Sequence, residues 1–188
     1  MSNTAVHLFR EIEESLETKP PCGSTRILTI DGRAGSGKTT LASDLFLYFS
    51  TSRKVEIIHM DDLYGGWDDA LTSRLTGTLI AIVEKVRKGE AFTQHIYNWH
   101  TASFDATKSL TPPEVLIIEG VGSGQSAIRD DVAAAIWMEI SPETGLRRVL
   151  DRDGETISEE MKQWQMMEAR HFEIEQTFEN ADFVLSTN

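Results

Sequence analysis

The stretch Gly32-Arg33-Ala34-Gly35-Ser36-Gly37-Lys38-Thr39 constrains this chain more than any other. Its spacing is G-x-x-x-x-G-K-[ST], the pattern of a phosphate-binding P-loop. Ile27-Leu28-Thr29-Ile30 before it is apolar and partly β-branched, which predicts a buried strand. Thr40 to Phe49 after it carries apolar residues at helical spacing. Strand, glycine-rich turn and helix is the order the chemistry needs. Glycines let successive backbone N–H groups converge on a phosphate without Cβ clashes, and the helix N-terminus adds partial positive charge. Gly32, Ala34, Gly35, Ser36, Gly37, Lys38, Thr39 and Thr40 are therefore the candidate nucleotide cradle. Lys38 is expected on the β- and γ-phosphates, and the Thr39 hydroxyl on Mg²⁺.

The rest of the pattern extends that unit. Val55–His59, Val115–Glu119, Ala134–Ile140 and Phe183–Leu185 read as four further strands, separated by helical stretches at Ala70–Arg87, Pro142–Leu150 and Ser158–Asn180. Alternating strands and helices imply βαβ units, hence a three-layer α/β/α P-loop NTPase fold around a mostly parallel five-stranded sheet. At 188 residues the chain is read as one domain, 1–188. Residues 1–22 supply an N-terminal helix with Val6, Phe9, Ile12 and Leu16 on one face, then a Pro-Pro linker. Thr93 to Ser109 reads as a polar and aromatic loop.

Composition removes several classes of partner. The net charge of -12 argues against nucleic acid, whose phosphates reward clustered Lys and Arg. No apolar run approaches the roughly 18 residues of a membrane span, and Met1–Leu16 is acidic rather than signal-like. The single cysteine, Cys22, excludes an intrachain disulfide, reads as an incidental linker thiol and fits a reducing cytoplasm. A small-molecule partner is expected, with no nucleic acid and no membrane; a homo-oligomer stays open.

In an open parallel sheet, ligands collect beyond the C-terminal strand ends. The first strand delivers the P-loop there, the second Asp61 and Asp62, and the third Glu119 with the glycine loop Gly120–Gly124. Phosphoryl transfer needs a held γ-phosphate, an in-line acceptor and a carboxylate to take its proton. Asp61 is read as that base, Glu119 as the metal-side acid, and Asp62 as a solvated or capping acid. Arg152 precedes a flexible Asp-Gly turn and is the candidate lid cation, whereas Arg147 and Arg148 read as a solvated helix face. Tyr64, Trp67, Tyr97, Asn98, Trp99 and His100 form an aromatic and polar set able to stack on a planar acceptor and read its hydroxyls. Trp67 and Trp99 serve equally well as cover for the sheet edge. His59 and His95 read as structural or solvated.

These residues resemble the uridine kinase (uridine–cytidine kinase) family. The likeness runs from about Arg26 to Leu185 and rests on Ile30-Asp31-Gly32 through Thr40, Asp61-Asp62-Leu63-Tyr64, Tyr97-Asn98-Trp99, Ile118-Glu119-Gly120 and Arg148–Asp153. The resemblance implies ATP and Mg²⁺, with Asp61 matching the catalytic aspartate, Tyr64 in the acceptor pocket, Glu119 the Glu-Gly acid and Arg152 the lid arginine. Asn98 stands where that family has a ribose-binding aspartate, the lid at about 151–157 is short, and no counterpart of its base-reading histidine is evident. The expectation is an ATP-dependent kinase acting on a small-molecule hydroxyl, with a nucleoside favoured. The alternatives are a sugar acid, a vitamin precursor or a nucleoside monophosphate as acceptor, or a nucleotide-binding regulatory module without phosphotransfer. A GTPase is disfavoured because no Asn-Lys-x-Asp segment occurs.

Overall fold

Apolar runs of strand length settle at the centre of the molecule, in a computed structural model that describes residues 3–187. The helices are α1 (Asn3–Thr18), α2 (Lys38–Phe49), α3 (Ser73–Lys88), α4 (Pro142–Asp153) and α5 (Ser158–Glu175). The strands are β1 (Arg26–Gly32), β2 (Val55–His59), β3 (Phe92–Asn98), β4 (Ser103–Leu110), β5 (Val115–Glu119), β6 (Val132–Glu139) and β7 (Phe183–Ser186). Five of them form one sheet in the order β2-β5-β1-β6-β7, and every pairing in it is parallel. The three-layer expectation holds.

The period of two along each strand sorts its side chains between two cores. Leu28 and Ile30 of β1, with Val115 and Ile117 of β5, pack with Phe9, Ile12 and Leu16 of α1 and Leu45 and Phe49 of α2. Ile27, Leu116 and Ile118 face the other way, against Leu75, Leu79 and Val86 of α3, Val149 of α4 and Trp164 and Phe172 of α5. Each such aliphatic side chain contributes about 1.5–3 kcal/mol by leaving water. Arg26 and Arg53 both pair with Glu17, holding the end of α1 against the sheet side of the molecule.

The segment 93–109 corrects the sequence reading. It is an antiparallel hairpin of β3 and β4 rather than a loop. β4 is exposed at every position except Leu110, so its side chains carry no buried face and no alternation betrays it. Backbone pairing and the edge-on contact of Tyr97 with Phe104, 5.2 Å between centroids, define it instead. Boundaries move elsewhere too. α3 starts at Ser73 rather than Ala70, and α5 ends at Glu175, where Gln176 turns the chain at φ 50°.

The loop that follows β1 is pressed against α4. Gly35 has φ 78°, and a Cβ there would lie 2.4 Å from the Gly145 carbonyl oxygen. Gly35→Ala thus meets both a disfavoured backbone region and immovable main chain. It is expected to cost about 2 kcal/mol or more. Chemical denaturation of the variant checks this, since an unchanged midpoint would show that the loop yields freely.

Candidate active site

The strand order places three chemistries side by side along one sheet edge. β1 carries the P-loop, β5 lies next to it with Glu119, and β2 lies next to β5 with Asp61 just past its end. All open onto one cleft of about 720 Å³, lined by Lys38, Thr39, Asp61 and Glu119 among others. Ala34, Gly35, Gly37 and Thr40 of the cradle also line it, while Ser36 is buried beneath. Gly32 ends β1 at the base of the loop.

Gly37 takes the left-handed conformation, φ 88°, and α2 starts at the next residue. That geometry aims the first-turn N–H groups of α2 at the cleft, where they are short of intrahelical partners. Lys38 is nearly buried, and its ammonium donates to the carbonyls of Gly32 at 2.8 Å and Arg33 at 2.7 Å. Burial lowers its pKa; Asp31, Glu168, Glu119 and Asp61 oppose the shift.

Glu119 is buried at the strand end, and its Oε1 accepts two hydrogen bonds. The Thr39 hydroxyl donates at 3.1 Å, and His59 Nδ1 lies at 2.6 Å. His59 and Glu119 are register partners on adjacent parallel strands, so the sheet itself brings them together. That bond raises the His59 pKa. The reading of His59 as merely structural or solvated therefore missed its bond to Glu119. Its only sequence signal was its place two residues before Asp61.

Asp61 sits on a short 3₁₀ turn, Met60–Asp62. Water reaches it through the cleft mouth, yet protein surrounds its other sides. Desolvation, reinforced by the charge of Glu119, raises its carboxyl above the ordinary carboxylate range against the pull of Lys38, Arg152 and His59. Asp62 points elsewhere and accepts from the Gln94 amide of β3 at 3.2 Å.

The aromatic set divides. Tyr64, Trp67, Trp99 and His100 line the cleft, joined by Trp164 of α5, which the motifs did not single out. Trp67 lies edge-on to both Trp99 at 5.2 Å and Trp164 at 6.0 Å. The Tyr64 hydroxyl is committed to the Val121 carbonyl at 2.7 Å, so only its ring is offered to the cleft. Trp99 Nε1 donates to the Asp61 carbonyl at 3.1 Å and ties the hairpin to the turn carrying the acid. Tyr97 and Asn98 are not brought to the cleft wall. Tyr97 stacks edge-on against Trp99 and Phe104. The Asn98 side chain closes the hairpin turn, accepting from the His100 N–H at 2.9 Å and donating to Asp105 at 2.8 Å.

The cations also sort by partner. Arg152 lines the cleft and forks onto Asp153, at 2.7 and 2.6 Å. It stands at the corner where α4 ends at Gly154 before a short 3₁₀ turn, Glu155–Ile157, leads into α5. Arg148 is not on a freely solvated face. It lines the cleft and donates to the Thr187 carbonyl at 2.5 Å, while the Thr187 hydroxyl donates to Ser36 of the P-loop at 3.1 Å.

The donors present suit Mg²⁺. The Thr39 hydroxyl and Glu119 carboxylate are hard oxygens already within 3.1 Å. Among the described residues no group of three His, Cys, Asp or Glu forms a metal cage. A sparse set fits this ion, which keeps several waters and takes phosphate oxygens with one or two protein oxygens. Among the described residues no helix is long and apolar enough to cross a membrane.

Comparison with known proteins bears on this geometry. Uridine kinase of Mycoplasma genitalium is 27% identical over 178 residues, covering 85% of this chain and 84% of that protein. The chloroplastic phosphoribulokinase of Mesembryanthemum crystallinum is 33% identical over 72 residues, and the chain spans only 18% of its length. A structure of a proposed fructose transport system kinase from Silicibacter sp. TM1040 superposes with a TM-score of 0.73 at 18% identity, covering 97% of this chain and 99% of that one. At that identity the likeness shows the fold alone. The phosphoribulokinase / uridine kinase family profile matches residues 73–187, the stretch that carries the hairpin, Glu119, the α4–α5 corner and β7. With more than half its length matched, and a phosphate cradle, two acids and an aromatic wall on one cleft, the chain belongs to the phosphoribulokinase / uridine kinase family of kinases.

Proposed function

We propose that this protein transfers the γ-phosphate of ATP to a hydroxyl of a small, uncharged acceptor, and that a nucleoside is the favoured class. The observation carrying this reading is one cleft lined together by the P-loop, Asp61 and the rings of Trp67, Trp99 and Trp164. An aromatic wall favours an acceptor with a planar face, which stacking holds without demanding charge. Among the described residues, the two arginines of the cleft already have partners, Arg152 with Asp153 and Arg148 with Thr187, so a phosphate or carboxylate on the acceptor would have to compete for them. That weighs against a sugar acid or a nucleoside monophosphate, although the family also includes a phosphoribulokinase.

In this reading the P-loop amides and Lys38 hold the β- and γ-phosphates, and Lys38 exchanges the Gly32 and Arg33 carbonyls for phosphate oxygens. Asp61 takes the acceptor proton as the hydroxyl oxygen attacks phosphorus in line, and ADP leaves with the electrons of the broken P–O bond. Thr39 and Glu119 would hold Mg²⁺, which neutralises charge on the phosphates. His59, by bonding Glu119, orients that carboxylate toward Thr39.

An acceptor screen tests this directly. ADP release from ATP and Mg²⁺ is followed with nucleosides, sugars, sugar acids, nucleoside monophosphates and vitamin precursors. A neutral nucleoside should raise turnover at least about a hundredfold over the water background, the scale of a positioned general base. ATP binding with no acceptor above background would make the protein a nucleotide-binding module instead. Turnover confined to phosphorylated or acidic acceptors would overturn the neutral-acceptor reading.

A further inference from the structure

Glu168 belongs to no motif, yet its carboxylate reaches the phosphate loop from α5. The residue is 1% exposed. Its Oε2 accepts the Ala34 N–H at 3.0 Å and the Trp164 Nε1–H at 3.1 Å, and its Oε1 faces Arg33 Nη1 at 3.6 Å. Burial raises its pKa against the pull of Ala34 N–H, Lys38 and Arg33. Burying a carboxylate costs several kcal/mol unless its lone pairs are bonded, and an apolar side chain would fill a core position without that cost. The placement therefore points to the two groups it bridges.

Both of those groups line the cleft. Ala34 lines it within the phosphate cradle, and Trp164 lines it in the acceptor wall. Trp164 packs on Tyr64, with ring centroids 5.3 Å apart, and on Trp67 at 6.0 Å. Trp67 continues to Trp99, whose indole N–H holds the Asp61 carbonyl. One carboxylate oxygen thus joins the loop that receives phosphate to the rings beside the acceptor.

We propose that Glu168 is a positioning residue that fixes the P-loop backbone at Ala34 and relays nucleotide binding to Trp164. The inference rests on the P-loop being the triphosphate site. Phosphate held by the neighbouring loop amides draws the loop in around it, and the Ala34 N–H and Arg33 carry the Glu168 carboxylate with them. Its hold on the Trp164 indole changes in response. A purely structural Glu168 would serve α5 and leave nucleotide affinity untouched.

ATP with Mg²⁺ and no acceptor is the probe, titrated into the whole protein by calorimetry and by tryptophan emission. Wild type should bind ATP with a shift in emission. Trp164→Phe keeps a ring but loses the N–H donor, and should lose that shift. Glu168→Ala should bind ATP about tenfold more weakly and show no shift, as expected when the loop loses the bond that fixes its backbone. Glu168→Gln, which keeps an acceptor oxygen, should restore affinity to within about threefold of wild type. Folded Glu168→Ala with wild-type or tighter affinity overturns the proposal, as does a full shift persisting in Trp164→Phe. Should Glu168→Ala fail to fold, Glu168→Leu, which fills the same space without an acceptor, takes its place in both measurements and is read by the same outcomes. Failure of wild type itself to bind ATP is a different outcome, and overturns the P-loop reading beneath it.

Discussion

Replacing Lys38 by alanine is expected to weaken ATP binding by about 10- to 100-fold and to lower turnover by a further 10²- to 10³-fold. The ammonium is buried within the loop, and it donates to the Gly32 and Arg33 carbonyls only 2.8 and 2.7 Å away. A small movement passes it from those carbonyls to phosphate oxygens, so its charge is already at the place where transferred charge develops. Its lowered pKa follows from burial, with four acids nearby pulling the other way. Removing the side chain leaves those two carbonyls without this donor and the buried Asp31 and Glu168 without a neighbouring cation, so the denaturation midpoint of the variant is measured alongside. Calorimetric titration with ATP and single-turnover kinetics separate the two effects. ATP affinity equal to wild type would remove Lys38 from the cradle.

Asp61→Asn should behave in the opposite way, keeping ATP affinity within about threefold while turnover falls by about 10²-fold or more. Asparagine preserves the size of the side chain and leaves untouched the backbone carbonyl that Trp99 holds, but cannot accept the acceptor's proton. The pH dependence sharpens the test. A base works as the carboxylate, so turnover is retained above its pKa and lost as pH falls through it. Desolvation and Glu119 raise that pKa, so the acid limb of the profile should lie above the ordinary aspartate value of about 3.9. The residual activity of Asp61→Asn should lack that limb. Unchanged turnover, or an acid limb that persists in the variant, would place the base elsewhere.

Much of this site was legible beforehand, for a definable reason. The P-loop is a local object, since strand, glycine turn and helix all lie between Arg26 and Phe49, and local sterics dictate its shape. Likewise Asp61 and Glu119 could be placed at strand ends, because a buried parallel strand is a continuous apolar run and its end is visible. The five strands of the sheet were readable on the same grounds. β3 and β4 were not, because an exposed hairpin buries no periodic face and its evidence is backbone pairing. Asn98 stood in a promising stretch, yet the turn between those strands took its hydrogen bonds.

What the amino-acid order determined by itself was the phosphate cradle, the sheet that carries it and the two acids at its edge. Tertiary structure alone decided which of these touch. Only the order β2-β5-β1 sets His59 against Glu119 and Glu119 against Thr39. Only the packing of α5 across the sheet brings Glu168 to Ala34, 134 positions away, and Trp164 to the cleft. The physical reason is that local propensity and hydrophobic period act over a few residues, whereas strand order and helix docking follow from burying every apolar face at once.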